Sequence, residues 1–344
     1  MGRFYAEHGL AWFRPCSDPS RISKDQIDYA LPQLDLVERF DPGLAEELHG
    51  LAEGLGISLE RAAAVVLTSG MTKPGSGPGC TAFVIRSNSG DIYLARNLDF
   101  PLRDGRVHLA RFTRPSDALA TFGGTEALLG YTEGINERGV AIAMAMVPME
   151  EYDWQTALPK KPPKEGLLFS IAIRIALEIC ESARSAAEFL SSIPHLEAFN
   201  FLVADPSGDV FVVETAPWGC EVRRGAPGEK MIITNTFSAP FAEQRARWAD
   251  EMQARLTKTL SGLREKALRT AWAFAESLPA GVNEETILAL LRMVAFDYAE
   301  GDTTHTVWSV CFNLTRRAIL WCPGTPHAHG FQDLGKLTPS SDTG

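Results

Sequence analysis

A cysteine, an arginine and an aspartate stand at spacings that one hairpin would bring together. Cys80 precedes Thr81 to Arg86, a short apolar run of strand formers; Ser87 to Asp91 is a cluster of turn residues, and Ile92 to Ala95 is a second run. With the turn centred near Asn88 and Ser89, antiparallel pairing puts position 80 opposite position 97 or 98, so Arg96, Asn97 and Asp99 return beside the thiol. A guanidinium favours thiolate, and a carboxylate either orients a protonated amine or holds the arginine. The grouping is that of a reactive cysteine rather than an inert one.

What precedes Cys80 extends the argument. Lys73-Pro74-Gly75-Ser76-Gly77-Pro78-Gly79 neither continues a helix nor joins a sheet ladder, so the bond between Gly79 and Cys80 is expected in an exposed link where a chain can be cut. Cleavage there would give Cys80 an α-amino group, of reference pKa about 7.7 to 8.0, held covalently beside the thiol. Nucleophile and base would be one residue. Two other readings remain open: an uncut Cys80 serving as a thiol sensor or sitting in a binding protein, and an uncut hydrolase that uses His49 or His305 as its base.

The elements that must position these groups alternate in blocks. Asp25 to Met71 reads as helical: Asp41 with Pro42 is an N-cap and first turn, Leu44, Leu48, Leu51 and Leu55 share a face, Gly54 and Gly56 stop the helix, and Ser58 starts another. Strand patterns follow at Val107 to Phe112, Leu119 to Phe122 and Val140 to Val147, the last after a turn at Gly134 to Gly139. Pro159 to Lys164 reads as a solvated loop, with a lid as the alternative. Gly166 to Ile193 carries two helical segments, and Phe199 to Ala204, Val210 to Glu214, Glu221 to Arg224 and Lys230 to Thr234 are further strands. Helices are expected over Pro240 to Leu263 and Glu284 to Tyr298, then a hairpin of Thr304 to Asn313 with Ala318 to Cys322, and a frayed tail from Leu337.

Composition bounds the partners. A chain of 344 residues that is 45% hydrophobic buries a large core, and a net charge of −10 with no basic block argues against nucleic acid. No stretch is long and apolar enough for a membrane span or signal peptide, so the expected location is cytoplasmic. The six cysteines show no CxxC pair, and no metal-ligand set or glycine-rich phosphate loop is present, so no metal or cofactor is expected. Cys180 and Cys311, in apolar runs, read as buried inert thiols.

Cys80-Thr81 followed by Arg96-Asn97-Leu98-Asp99-Phe100 resembles the N-terminal-nucleophile hydrolases, in particular the cysteine branch of conjugated bile acid hydrolases and the self-processing isopenicillin N acyltransferases. The leader phrase Glu46 to Ser58, with His49 inside it, is similar to that of the acyltransferases, and Thr303 to Val310 and Pro323 to Pro326 resemble the end of their domain. The resemblance implies a four-layer αββα sandwich of the α+β class, a leader of residues 1–79 and a catalytic domain of 80–344, cut between Gly79 and Cys80. It implies acyl transfer or hydrolysis of a small-molecule amide or thioester through Cys80, with the leader kept as a partner. It implies Arg96 and Asp99 as supporting residues, Asn136 in Glu133-Gly134-Ile135-Asn136-Glu137-Arg138-Gly139 as oxyanion donor, and Asn235 after Met231 to Thr234 as a catalytic asparagine. Without it, Asn136 reads as a turn residue and Asn235 as a strand-end residue bonding its own backbone. The family's further downstream arginine has no secure place, Arg245 and Arg247 being the candidates.

Overall fold

The computed structural model describes residues 22–68, 79–100, 108–112, 118–125, 129–147, 152–153, 158–159, 165–226, 228–238, 251–296 and 305–338. Among the described residues before Gly79 there are three helices, α1 (Lys24–Phe40), α2 (Pro42–Leu55) and α3 (Leu59–Thr68). Ser23 and Gln26 close a capping box on α1, and the Asp41 carboxylate accepts the Leu44 amide at 3.0 Å to open α2. Gly56, at φ 68°, ends α2, while Gly54 lies inside it.

Two antiparallel sheets follow. The first has the order β12-β1-β2-β13-β14-β15, with β1 (Gly79–Arg86), β2 (Ile92–Phe100), β12 (Met231–Ile233), β13 (His305–Asn313), β14 (Ala318–Pro323) and β15 (Gln332–Lys336). The second has the order β11-β10-β9-β6-β5-β4-β3, with β3 (His108–Phe112), β4 (Thr121–Thr125), β5 (Glu133–Asn136), β6 (Ala141–Met146), β9 (Phe199–Ala204), β10 (Val210–Ala216) and β11 (Gly219–Arg224). Tyr152–Asp153 and Leu158–Pro159 pair as β7 and β8.

Strand alternation sorts the side chains into layers. Cys80, Ala82, Val84, Leu94 and Leu98 of the first sheet meet Ile135, Ala141, Ala143 and Leu202 of the second in one core between the sheets. Phe83, Ile85 and Tyr93 point the other way, onto α6 (Glu251–Ser277) and α7 (Glu284–Met293). The outer face of the second sheet packs on α4 (Phe169–Ile179), α5 (Ala183–Ser192) and the helices α1 to α3, with Leu44, Leu48 and Leu51 in the same cluster as Ile171, Ile175 and Phe201. The architecture is the four-layer αββα sandwich.

Several expectations shift. Gly79 already pairs with Asp99 in the ladder, so the link ends one residue earlier than its composition implies; residues 73–78, Arg245 and Arg247 lie outside the described residues. The helix expected from Pro240 begins within the described residues at Glu251 and runs on to Ser277. Leu337 is no part of a frayed tail: it is buried and its amide donates to the Arg317 carbonyl at 3.0 Å, behind a strand, β15, that has no strong alternation to announce it. Of the loop read over 159–164, only Pro159 is described, at the end of β8. Among the described residues no helix is long and apolar enough to cross a membrane.

Candidate active site

The hairpin register places Cys80 opposite Leu98, with Ala82 opposite Arg96 and Gly79 opposite Asp99. Residues 80, 82, 96 and 98 therefore face the space between the sheets, while Thr81, Asn97 and Asp99 face the helical layer. Two groups of charges thus approach Cys80 from opposite faces of one strand pair.

Between the sheets, the Arg96 guanidinium donates from Nη2 to the Cys80 sulfur at 3.4 Å and from Nε to the Met144 carbonyl at 3.0 Å. Its Nη1 forms an ion pair with Glu133, both side chains being fully buried. Burial pushes the Glu133 carboxyl above the usual carboxylate range, and the Arg96 charge pulls against that.

On the helical side, Asp99 accepts from Thr306 Oγ1 at 2.6 Å and from Arg264 Nη1 at 3.3 Å. Burial raises Asp99 to about 6, opposed first by the Arg264 charge and then by the Thr306 hydroxyl. The same Arg264 nitrogen donates to the Cys80 carbonyl at 3.1 Å and to Thr81 Oγ1 at 3.2 Å, and Nη2 donates to Asn235 Oδ1 at 2.8 Å. Asn235 Oδ1 also accepts the Cys80 backbone N–H at 2.8 Å, while its Nδ2 donates to the Met146 carbonyl at 2.8 Å. The nitrogen that would become an α-amine is therefore already held by an asparagine that an arginine fixes. Asn97 serves the scaffold, donating to the Leu291 carbonyl at 2.9 Å and accepting from Ser309 at 2.7 Å.

Cys80, Arg96, Asp99 and Asn235 are thus brought together, and Asn136 is not. Ile135 belongs to the core between the sheets, so its neighbour Asn136 turns to the opposite face of β5. There both amide hydrogens go to the C-terminal end of α4, to Leu177 and Cys180 carbonyls at 2.9 and 2.8 Å, and the side-chain oxygen accepts the Arg138 and Val140 amides, each at 3.0 Å. No donor is left to aim at an oxyanion beside Cys80, and the residue orders the turn that its local chemistry describes. Asn136→Ala is expected to lower stability by about 2 to 4 kcal/mol, read in a thermal melt, while turnover of the folded enzyme stays within about twofold of the parent.

Two groups escaped the sequence reading. Arg264 lies in register with Leu268, Trp272 and Ala275, the buried face of α6, and an arginine on an apolar stripe was the signal for it. Glu133 shares the inward face of β5 with Ile135, and the same alternation would have marked it. Of the histidine candidates, His49 is exposed on α2 and His305 opens β13 opposite Phe100, while Arg96, Asn235 and Arg264 each bond Cys80. The thiols read as inert fit that role, Cys311 being pushed well above the ordinary thiol range by burial and Cys180 to about 11. Among the described residues no three metal-ligating side chains converge.

A search of curated protein sequences returns no match. Among solved structures, a mutant form of conjugated bile acid hydrolase from Clostridium perfringens superposes with a TM-score of 0.55 at 13% identity, over 74% of this chain and 92% of that one. The fold is common to both. Penicillin V acylase from Agrobacterium tumefaciens gives 0.47 at 16% identity over 71% and 83%. An N-acylethanolamine-hydrolyzing acid amidase ortholog from Caenorhabditis elegans gives 0.46 at 18% over 69% and 93%. A family model described as acyl-coenzyme A:6-aminopenicillanic acid acyl-transferase matches residues 85–327 of the 344, a span that takes in Arg96, Asp99, Asn235 and Arg264 and begins just after Cys80. On that match, which spans more than half of the chain, the chain belongs to the acyl-coenzyme A:6-aminopenicillanic acid acyl-transferase family.

Proposed function

We propose that the chain cuts itself between Gly79 and Cys80 and then acts on a small-molecule amide or thioester through an acyl-enzyme on Cys80. The observation that carries this reading is the 2.8 Å bond from the Cys80 backbone nitrogen to Asn235, in a residue whose sulfur lies 3.4 Å from the Arg96 guanidinium. The thiol and its prospective base are thus each held by a named partner before any cut.

In self-processing, the Cys80 sulfur attacks the Gly79 carbonyl carbon and its proton passes to the Cys80 nitrogen, so that breaking the Gly79–Cys80 C–N bond forms a thioester and frees the α-amine; water then hydrolyses the thioester to give the Gly79 carboxylate and the free thiol. Gly79 is packed against this machinery: a Cβ on it would stand 3.1 Å from both Asp99 Oδ2 and Arg264 Nη1. In turnover, the amine takes the thiol proton as sulfur attacks the substrate carbonyl, then returns it to the leaving group. The acyl group passes to water or to an acceptor amine. Asn235 keeps a second amide hydrogen beyond the one given to Met146, and we assign it, with nearby backbone N–H groups, to the oxyanion, each donor worth roughly 3 to 4 kcal/mol. Arg96 tunes the sulfur; Asp99 and Arg264 hold the backbone that carries it.

The leader, in this reading, stays after the cut as a non-covalent subunit. Its α2 supplies apolar side chains to the core over the second sheet, and Glu47 reaches the buried Arg174 of α4 at 2.5 Å. Intact mass and N-terminal sequencing of purified protein test the proposal. The expected result is two co-purifying fragments, residues 1–79 and 80–344; a single uncut mass in fully active enzyme would overturn it.

A further inference from the structure

A fully buried carboxylate sits on the far side of Arg96 from the cysteine, and its setting is built for it. Glu133 Oε1 accepts Trp308 Nε1 at 2.8 Å, Oε2 accepts Thr132 Oγ1 at 2.8 Å, and Oε2 also takes the Arg96 ion pair. The strand beside it leaves room only because it lacks a side chain: a Cβ on Gly124 would collide with Glu133 Oε1. Donors from β13, β2 and the residue before β5 thus converge on one carboxylate across the two sheets, and Arg96 is shared between it and the Cys80 sulfur.

We infer that Glu133 is a positioning residue that fixes the Arg96 guanidinium over Cys80 and offsets part of its charge, thereby setting the pH at which the thiol ionises. The inference rests on the reading of Cys80 as the reactive thiol. Among the described residues, the charged and polar groups around Cys80 are Arg96, with Glu133 behind it, at the sulfur between the sheets, and Arg264, paired with Asp99, and Asn235 at its backbone on the helical side, where the Cys80 nitrogen in cut protein is a titrating amine. Of these, Glu133 is the carboxylate in contact with Arg96. Loss of its charge leaves the guanidinium less compensated 3.4 Å from sulfur, and a less compensated cation favours thiolate.

The test is the pH dependence of iodoacetamide alkylation at Cys80, read by peptide mass spectrometry on the purified full chain in whatever cut state it adopts. Glu133→Gln is expected to move the alkylation midpoint down by about one pH unit, that is, about tenfold more modification on the acid side. Glu133→Asp, which keeps the charge but draws it back by one methylene, should move it the same way by less. Thr132→Val, which deletes one donor and no charge, should leave the midpoint where it is; a purely structural role would treat it like the others. Should Glu133→Gln fail to fold, Glu133→Asp decides. An unmoved midpoint in a folded Glu133 variant overturns the inference and leaves the functional reading standing, whereas a parent Cys80 inert at every pH overturns both.

Discussion

Cys80→Ala is expected to accumulate as an uncut, folded chain of 344 residues with no measurable turnover. The side chain is small and its neighbours in the core between the sheets include Ala82, Ala141 and Ala143, so alanine leaves packing almost unchanged. Fold and chemistry therefore separate cleanly in this variant. The chemical loss should be roughly a millionfold, the scale seen when a nucleophile is deleted from a working hydrolase. Cys80→Ser keeps a nucleophile but one far harder to ionise, so slow cutting with sharply reduced amide turnover is the expected pattern. Mass spectrometry of protein made without proteases reads both variants. If Cys80→Ala is still cut before residue 80, this thiol does not perform the cleavage and an outside protease does.

Asp99→Asn should give the second largest effect, with a pH signature of its own. The carboxylate joins Thr306 and Arg264, and Arg264 in turn holds the Cys80 carbonyl and Asn235. An amide in its place turns one N–H toward the guanidinium and deprives a nearly buried cation of this charge partner, a loss of about 3 kcal/mol of stability. Displacement of Arg264 should cost roughly 10² to 10³ in turnover. The parent enzyme is expected to lose activity as pH falls through about 6, where Asp99 takes up a proton and releases Arg264. Because the folded-state value lies above that of an unfolded aspartate, the native chain binds the extra proton between about 4 and 6, and this group's contribution to stability falls as pH rises through that window. Asp99→Asn should abolish the acid limb of the rate profile near 6; a variant that keeps both parent rate and parent limb would exclude Asp99 from the site.

What could be read from residue order was the local part of this structure. The β1 to β2 hairpin has its turn residues and its two-residue period written along adjacent positions, so spacing alone returned Arg96 and Asp99 to Cys80 and left position 80 opposite 97 or 98, of which the structure takes 98. The helix ends at Asp41 and Gly56 were legible for the same reason, since a cap bonds within one turn. The αββα layering and the asparagine after β12 came instead through family resemblance, which carries long-range information that composition lacks.

Tertiary structure decided what crosses between elements. Arg264 meets Cys80 from 184 residues away, and nothing in the local sequence of α6 says which sheet its buried face will cover. Asn136 had the right neighbours for an oxyanion donor, yet strand alternation turns it toward α4, on the wrong side of the second sheet. Glu133, inside the same quoted string, takes the inward face that Asn136 lacks and pairs with an arginine on the opposite sheet. Spacing determines which residues share a face of one strand, whereas the face that meets the cysteine is chosen only when two sheets pack, because that choice depends on apolar burial summed over the whole interface.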